Sequence, residues 1–375
     1  GVIEFQTKNY LKSVEIITKT IEINPNNSEY YNFKGIALVH LNKFEEAIQS
    51  WSKAIETDPN NVDAYNNRGN ALIKLKKNDL ALKDFDVAIK IKPNFAQAYN
   101  NRGVILKDLN RLDLALESTN KAIEINPKYA DAYNLKGAIL RELKQIEESI
   151  KNYNKALELN PNFANAHVNR GNILLNENKQ IELALESFSK ALKINPNLDF
   201  LFGKYIHTKT WLSNWNFIDE EINSLKNKII NGEKTATPFP VLSLIDLPDL
   251  QKKNAIKFVE NQYSLTSNLG PIMKKTSNKK IRIGYYSADF NNHPTSFLMV
   301  HLLELHDRSN FEIFCFSLQN RKDDEMRKRV SKACDKFLDV SLKSDAEIAK
   351  ISRDLEIDIA CDVMGFTKGN KFQIF

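Results

Sequence analysis

The sequence predicts two fold classes in one chain. Residues 1–197 read as a superhelical array of paired α-helices, an α–α solenoid. A helical linker over 198–277 follows, and residues 278–375 read as an α/β segment. Three observations carry this. Glycines recur every 34 residues at Gly1, Gly35, Gly69, Gly103, Gly137 and Gly171. Prolines keep the same step at Pro25, Pro59, Pro93, Pro127 and Pro161, then slip by one to Pro196. From Ile281 the period is gone, and short apolar runs alternate with amphipathic stretches, the pattern of a parallel sheet covered by helices.

An aromatic stands four residues before each glycine: Tyr31, Tyr65, Tyr99 and Tyr133, with His167 in the last repeat. Alanines at Ala54, Ala88, Ala122, Ala156 and Ala191 keep step with them. A 34-residue period in the order aromatic, Gly, Ala, aromatic, Ala, Pro is the tetratricopeptide signature. Gly69 and Ala81 are small so that the two helices of a repeat can approach closely, and Tyr65, Phe85 and Ile89 fill the space around that contact. Pro93 has no N–H to donate and ends the second helix. One repeat cannot bury its own apolar face, so neighbours must stack. Five repeats are complete and one is cut short. Gly1 occupies the glycine position, so the sequence is expected to open inside a helix and to be a piece of a longer chain. The extra residue of the last repeat is expected in its inter-helix turn, near Asn178 to Gln180.

Two columns run along the array. Asn32, Asn66, Asn100 and Asn134 share one repeat position, and Asn67, Asn101 and Asn169 the next. Stacking would align them on the inner, concave face, where amides can hydrogen-bond an extended peptide's backbone without demanding a sequence. The competing reading is capping and solvation between helices. The peptide-binding candidates are Asn66, Asn67, Asn100, Asn101, Asn134 and Asn169. A basic column, Lys34, Arg68, Arg102, Lys136 and Arg170, is expected to pack its stems and hold its heads in water, against the alternative of an acid-binding track.

In the linker, Phe217, Ile218, Ile222, Leu225 and Ile229 have helical spacing, with a stop at Gly232. Pro238 and Pro240 predict a loop, and Pro248 to Tyr263 a further helix. The polar stretch 264–280 marks a boundary. The 53 basic and 47 acidic residues are interspersed, which argues against a nucleic-acid-binding surface. No apolar run approaches the roughly 18 residues of a membrane-spanning helix. Cys315, Cys334 and Cys361 lie far apart, which argues against a disulfide framework or a metal site and for reduced, buried thiols in the cytoplasm.

In the α/β segment, strands are predicted at Ile281 to Tyr286, Phe311 to Leu318 and Ile357 to Val363. Helices are predicted at Phe297 to His306, through Met326, Val330, Ala333, Cys334 and Phe337, and after the capping box Ser344 to Glu347. Ligands of such sheets sit beyond the carboxyl ends of the strands, here the loops 287–296 and 364–369. His293 precedes Pro294, which restricts the histidine backbone. Thr295 and Ser296 are expected to cap the following helix and leave its N–H groups open to an anion. A histidine on such a turn is a candidate acid or base, against a loop histidine that hydrogen-bonds the fold. Asp362, at a strand end, is a second acid/base or a capping anion. His301 and His306, five apart, have the wrong spacing for shared metal ligation and read as structural.

The run from Ile281 to Ser296, which contains Asn-His-Pro-Thr-Ser, resembles the start of the catalytic domain of the O-GlcNAc transferase and Spindly-like family. The stretch from Asp362 to Gly369 is similar to that family's second signature. Ile206 to Trp215, and Pro238 to Pro240 with Leu242 to Leu247, resemble its bacterial branch. The resemblance implies a GT-B glycosyltransferase of two Rossmann-like lobes, with this chain carrying the N-terminal one. It implies that a protein Ser or Thr hydroxyl attacks the anomeric carbon of UDP-N-acetylglucosamine with inversion, that the repeats hold the acceptor protein, and that no cofactor takes part. His293 would be the motif histidine near sugar and acceptor, with Thr295, Thr367 and Lys368 in the acceptor loops. The nucleotide would be bound mainly by a second lobe beyond Phe375, so residues 1–375 alone are expected to be inactive. The chain departs from the family in carrying Arg or Lys where its repeats usually have Leu beside the asparagine. Two alternatives stand beside this reading: a repeat scaffold without catalysis, and an O-fucosyltransferase using GDP-fucose. A carboxylate-clamping co-chaperone is disfavoured, because Glu29, Asp63, Gln97, Asp131 and Asn165 stand where its basic residues would.

Overall fold

The computed structural model describes residues 9–177, 179–262, 280–319, 323–364 and 374. The chain divides into two compact units, Gly1–Asn216 and Phe217–Phe375. Among the described residues there are eighteen helices and four strands.

In the first unit, helix Tyr10–Ile23 precedes five helix pairs: Ser28–His40 with Phe44–Thr57, Val62–Lys74 with Asn78–Ile91, Ala96–Asp108 with Leu112–Ile125, Ala130–Glu142 with Ile146–Leu159, and Ala164–Asn176 with Ile181–Ile194. The glycine column is a contact column. A Cβ on Gly69 would stand 2.7 Å from the ring of Phe85, and one on Gly137 2.8 Å from that of Tyr153. Both rings are fully buried, so each glycine lets an aromatic of the second helix lie against the first. The Ala–Pro pairing has an equally local cause. From Pro59 on, the residue before each proline closes the second helix by donating its N–H to the column alanine, as Lys92 does to Ala88 and Asn126 to Ala122, and the proline then cannot continue the turn.

The last repeat has four residues between its helices, 177–180, where its neighbour has three, 143–145. The insertion therefore sits in the turn, although Asn178 itself lies outside the described residues, as does the expected opening inside a helix at Gly1. Helix Leu201–Trp211 continues the stack: Leu201 and Tyr205 share an apolar cluster with Phe188 and Ala191. The compact unit consequently runs to Asn216 instead of stopping at 197, because the exposed apolar face of a terminal repeat needs a cover.

In the second unit, helices Ile218–Ile230, Pro238–Leu244 and Pro248–Gln262 come first. Pro238 and Pro240 open a short helix where a loop was expected. Proline's fixed φ suits a first helical turn, whose N–H groups have no partner in any case. The parallel sheet consists of β1 (Ile281–Ser287), β2 (Phe311–Ser317), β3 (Lys336–Asp339) and β4 (Ile359–Asp362) in the order β3-β2-β1-β4. Helices Pro294–Leu305, Glu325–Lys332 and Asp345–Asp354 connect the strands. Phe337, expected on a helix, lies in β3, so the segment read as the third strand is the fourth. Four residues are too few to show a two-residue alternation, and β3 pairs only with β2.

Two apolar clusters sandwich the sheet. One joins Ile283, Tyr285, Ile313 and Cys315 to Val300, Leu303 and Val330. The other joins Tyr286, Phe314 and Phe316 to Val340 and Ile348. Burial on both faces is the rule for parallel sheets. The cysteines are free thiols, but of the three only Cys315 is buried. No helix among the described residues is long and apolar enough to cross a membrane.

Candidate active site and repeat columns

The candidate site is assembled where β1 and its neighbours end. The Ser287 hydroxyl accepts from the Asp289 N–H at 3.0 Å and starts the loop. Pro294 begins the next helix, and this makes His293 its N-cap: Nδ1 accepts from the Thr295 N–H at 3.3 Å. Thr295 and Ser296 were expected to cap, and they do not. Proline at the first helical position moves the helix start three residues earlier, from Phe297 to Pro294, and Ser296 turns inward, donating its hydroxyl to the Asp289 carbonyl at 2.6 Å.

Asp289 gives the histidine a second neighbour. Its Oδ2 is 3.8 Å from His293 Nδ1, with the Asp289 side chain 17% exposed and that of His293 44%. Two groups thus compete for one ring nitrogen. While Nδ1 accepts from Thr295, the ring proton sits on Nε2, which is then a donor. When Nδ1–H turns to Asp289, Nε2 carries a lone pair and is a base.

Sequence reading missed Arg327. It sits on helix Glu325–Lys332 at 8% exposure. Its guanidinium donates to Ser317 Oγ at 2.8 Å, to the Phe290 carbonyl at 3.4 Å and to Asp339 Oδ2 at 2.7 Å. It also lies 4.8 Å from the ring centre of Phe337. One side chain therefore ties the His293 loop to the ends of β2 and β3. Asp324 holds the loop from the other side: it accepts from the N–H of Arg327 at 2.8 Å and of Asn292 at 2.8 Å. These backbone donors, Arg327's first, keep the Asp324 carboxyl below its ordinary value. The only sequence signal was the cap spacing of Asp324 to Arg327. Within the charged run from Glu325 to Lys332, nothing marked one arginine as buried.

Asp362 ends β4 in register with Tyr286 of β1. It and His293 therefore lie beyond the carboxyl ends of adjacent strands. Asp362 Oδ1 accepts from the Met364 N–H at 2.9 Å, a local turn contact, and the Met364 sulfur accepts from the Ala288 N–H at 2.9 Å, joining the two loops. Thr367 and Lys368 lie outside the described residues. His306 hydrogen-bonds Tyr285 at 2.8 Å, and exposed His301 lies 3.4 Å from Glu304. No group of His, Cys, Asp and Glu among the described residues could hold a metal ion.

In the repeats, the two asparagine columns form a ladder. Nδ2 of Asn67 donates to Asn32 Oδ1 at 3.2 Å, Asn101 to Asn66 at 2.9 Å, and Asn169 to Asn134 at 3.0 Å. One rung is missing because position 135 is Leu135, and the buried Asn100 Oδ1 has no partner among the described residues. Asn66 and Asn100 are buried. Asn67, Asn101, Asn134 and Asn169 are half-buried, and each donor amide spends one N–H on its rung. The arginine heads are not simply in water. Arg68 grips Asp84 at 2.8 and 2.7 Å and Ser52 at 3.0 Å. Arg102 donates to Asp86 at 2.7 Å and to Ser118 at 2.6 Å. Arg68 and Arg102 each latch the second helices of two successive repeats, whereas the buried Nε of Arg170 has no partner among the described residues.

A helix-pair array followed by a parallel sheet whose polar groups gather at one edge defines a repeat protein joined to a ligand-handling α/β domain. Residues 255–375 match the model of glycosyl transferase family 41, and segments spanning 35–198 match tetratricopeptide repeat models. The chain thus couples tetratricopeptide repeats to a family 41 segment, and in this it resembles the protein O-GlcNAc transferases. It is 41% identical over 105 residues to the probable UDP-N-acetylglucosamine–peptide N-acetylglucosaminyltransferase SEC of Arabidopsis thaliana, over 28% of this chain and 11% of that protein. To the UDP-N-acetylglucosamine–peptide N-acetylglucosaminyltransferase of Caenorhabditis elegans it is 38% identical over 99 residues, 26% of this chain and 8% of that one. The matches span only about a tenth of the length of these relatives. Among solved structures, a Thermobaculum terrenum O-GlcNAc transferase mutant aligns at 20% identity and TM-score 0.39, over 71% of this chain and 45% of the other. The Cut9–Hcn1 hetero-tetramer of the APC/C aligns at 14% identity and TM-score 0.53, over 68% and 47%, a likeness of fold alone.

Proposed function

We propose that the protein carrying this chain is an inverting protein O-glycosyltransferase of the O-GlcNAc transferase type, with UDP-N-acetylglucosamine as donor and Ser or Thr hydroxyls of polypeptides as acceptors. The observation that carries the reading is the His293 loop: a histidine beyond β1, poised between Thr295 N–H and Asp289, in a segment that matches family 41. In the reaction the acceptor oxygen bonds to the anomeric carbon, the bond from that carbon to the diphosphate breaks, and the hydroxyl proton passes to a base. His293 Nε2 takes that proton when Asp289 draws the other ring proton to Nδ1. Asp362 is the alternative base. Thr295, Thr367 and Lys368 orient the acceptor, and residues outside this chain hold most of the nucleotide. The spare amide atoms of Asn67, Asn101 and Asn169 grip the acceptor backbone, with Asn66, Asn100 and Asn134 setting their positions. Free thiols suit a reducing compartment, so we place the protein in the cytoplasm.

The test is kinetic and uses the full-length protein. His293→Ala is expected to lower kcat by about 10²–10⁴-fold with an unchanged melting temperature. Asp289→Asn is expected to lower kcat by at least about tenfold and to change the pH profile, because it replaces the charged carboxylate that favours the Nδ1–H tautomer with a neutral amide. Full activity of His293→Ala beside an inactive Asp362→Ala moves the base to the carboxylate. If both variants keep full activity, this lobe only positions substrate. Polypeptide binding without sugar transfer in the unmodified protein leaves a repeat scaffold.

A further inference from the structure

The asparagine ladder ends on two cations with no acid between them. On helix Ala130–Glu142, Arg141 follows Asn134 by seven residues; on helix Ala164–Asn176, Asn172 follows Asn169 by three. These spacings place both on the faces that carry the Asn134–Asn169 rung. The next helix in the stack, Leu201–Trp211, supplies Lys204, whose Nζ donates to Asn172 Oδ1 at 2.9 Å. A lysine thus makes the last cross-helix contact of the stripe. The Arg141 guanidinium makes no ion pair or hydrogen bond among the described residues.

Elsewhere in the array two arginines are paired with acids, Arg68 with Asp84 and Arg102 with Asp86. Lys204 has only a neutral amide. Burial first, and then the like charge of Arg141, hold it below the ordinary lysine value, with no carboxylate acting against them. A half-buried ammonium and a half-buried guanidinium of like charge, in a site of reduced dielectric, leave a positive potential. An oxyanion entering there would relieve the repulsion and take hydrogen bonds from both.

We infer that Arg141, Asn172 and Lys204 form an oxyanion site at the end of the repeat stripe, and that it takes an acidic side chain of the acceptor polypeptide. The arginine fork matches the two oxygens of a carboxylate, and lysine adds a point charge beside it. The site lies one to two helical turns along from the asparagines, so an extended chain gripped there by its backbone can present a side chain to it. The inference rests on the proposal that acceptors lie along the ladder, and it adds a composition preference to a grip that otherwise reads no sequence.

The test is fluorescence anisotropy on residues 1–375 with two labelled peptides, identical except for a central Glu-Glu pair replaced by Gln-Gln. The acidic peptide is expected to bind about tenfold more tightly at low salt, the worth of one or two charged hydrogen bonds, with the difference shrinking as salt rises. Lys204→Met and Arg141→Met should each erase the preference and leave the Gln-Gln peptide unchanged. The melting temperature of Lys204→Met should equal or exceed that of the unmodified protein, because a half-buried repulsion is removed while the apolar stem is kept. Asn101→Ala should weaken both peptides alike. Equal affinity for the two peptides, or a preference that survives in both methionine variants, overturns the oxyanion site and leaves the ladder grip standing. If neither peptide binds, the site fails together with the grip, while sugar transfer by the full-length protein still tests the catalytic proposal separately.

Discussion

In the repeat unit the same contacts recur. Asn67 donates to Asn32, Asn101 to Asn66 and Asn169 to Asn134, and the rings of Phe85 and Tyr153 lie on equivalent glycines. In the sheet unit the contacts that hold the His293 loop have no repeated counterpart. Arg327 alone reaches Ser317, Phe290 and Asp339, and Asp324 alone holds Asn292. Redundancy of the first kind gives a surface that tolerates the loss of one member, as the missing rung at Leu135 demonstrates. Singular contacts give a loop held in one geometry, which chemistry requires. The array is built to present a stripe, and the sheet edge is built to fix a few atoms.

The sharpest break of this comparison is Arg327→Met. Three hydrogen bonds vanish, and Asp339 and the Phe290 carbonyl lose a charged partner, at an expected cost of about 3 kcal/mol. Hydrogen exchange should show protection lost over 287–296 while the helix pairs stay protected. An unchanged loop in this variant contradicts the role given to Arg327. Gly137→Val should cost about 1–3 kcal/mol by forcing the Tyr153 ring out of its seat. Because repeats contact only their neighbours, the damage should stay within the fourth helix pair and those beside it; a global loss would show that the array melts as one unit.

A smaller effect separates the rungs. Asn66→Ala removes a made hydrogen bond and should cost about 1 kcal/mol, whereas Asn100→Ala removes a buried carbonyl without a partner and should be near neutral. Denaturant midpoints that rank the two in the opposite order would dismiss the ladder as a stabilising element. The smallest effect is with acid. Burial holds His167 and His207 below the ordinary imidazole value of 6.5, in His167 against a hydrogen bond that its ring donates to the Pro161 carbonyl and that raises it. A depressed folded value means that the stability is present above pH 6.5 and is lost as pH falls through 6.5 toward the folded value. His306 in the sheet unit shares this direction. His167→Tyr, which restores the aromatic of the other repeats, should reduce the acid loss in the fifth helix pair and leave the response around His306 unaltered in melts from pH 8 to pH 5.

The repeats were legible because their physics is periodic: a ring that needs a glycine opposite it repeats the need every 34 residues. The loop that holds His293 was legible because it lies beyond the carboxyl end of a predicted strand, while the helix start was read at Phe297 instead of Pro294. That His293 itself is the cap followed from where the proline falls, and it became evident only with the backbone in place. β3 was hidden because four residues carry no usable period, and its neighbour β2 creates it as a strand.

By itself, then, the sequence determined the order of the repeat helices, their close contacts and the loops at which chemistry could gather, since all of these follow from residue size, backbone freedom and spacing along one chain. Only the tertiary structure decided which polar atoms find each other. Asp289 beside His293, Arg327 under Phe290, Asp84 against Arg68, and Lys204 facing Asn172 without an acid are meetings of residues on different turns, strands or helices. Such meetings depend on distances in space that no period encodes. A hydrogen bond or an ion pair exists only within a few ångströms, and whether a charge finds its counterpart there or is left without one is fixed by packing.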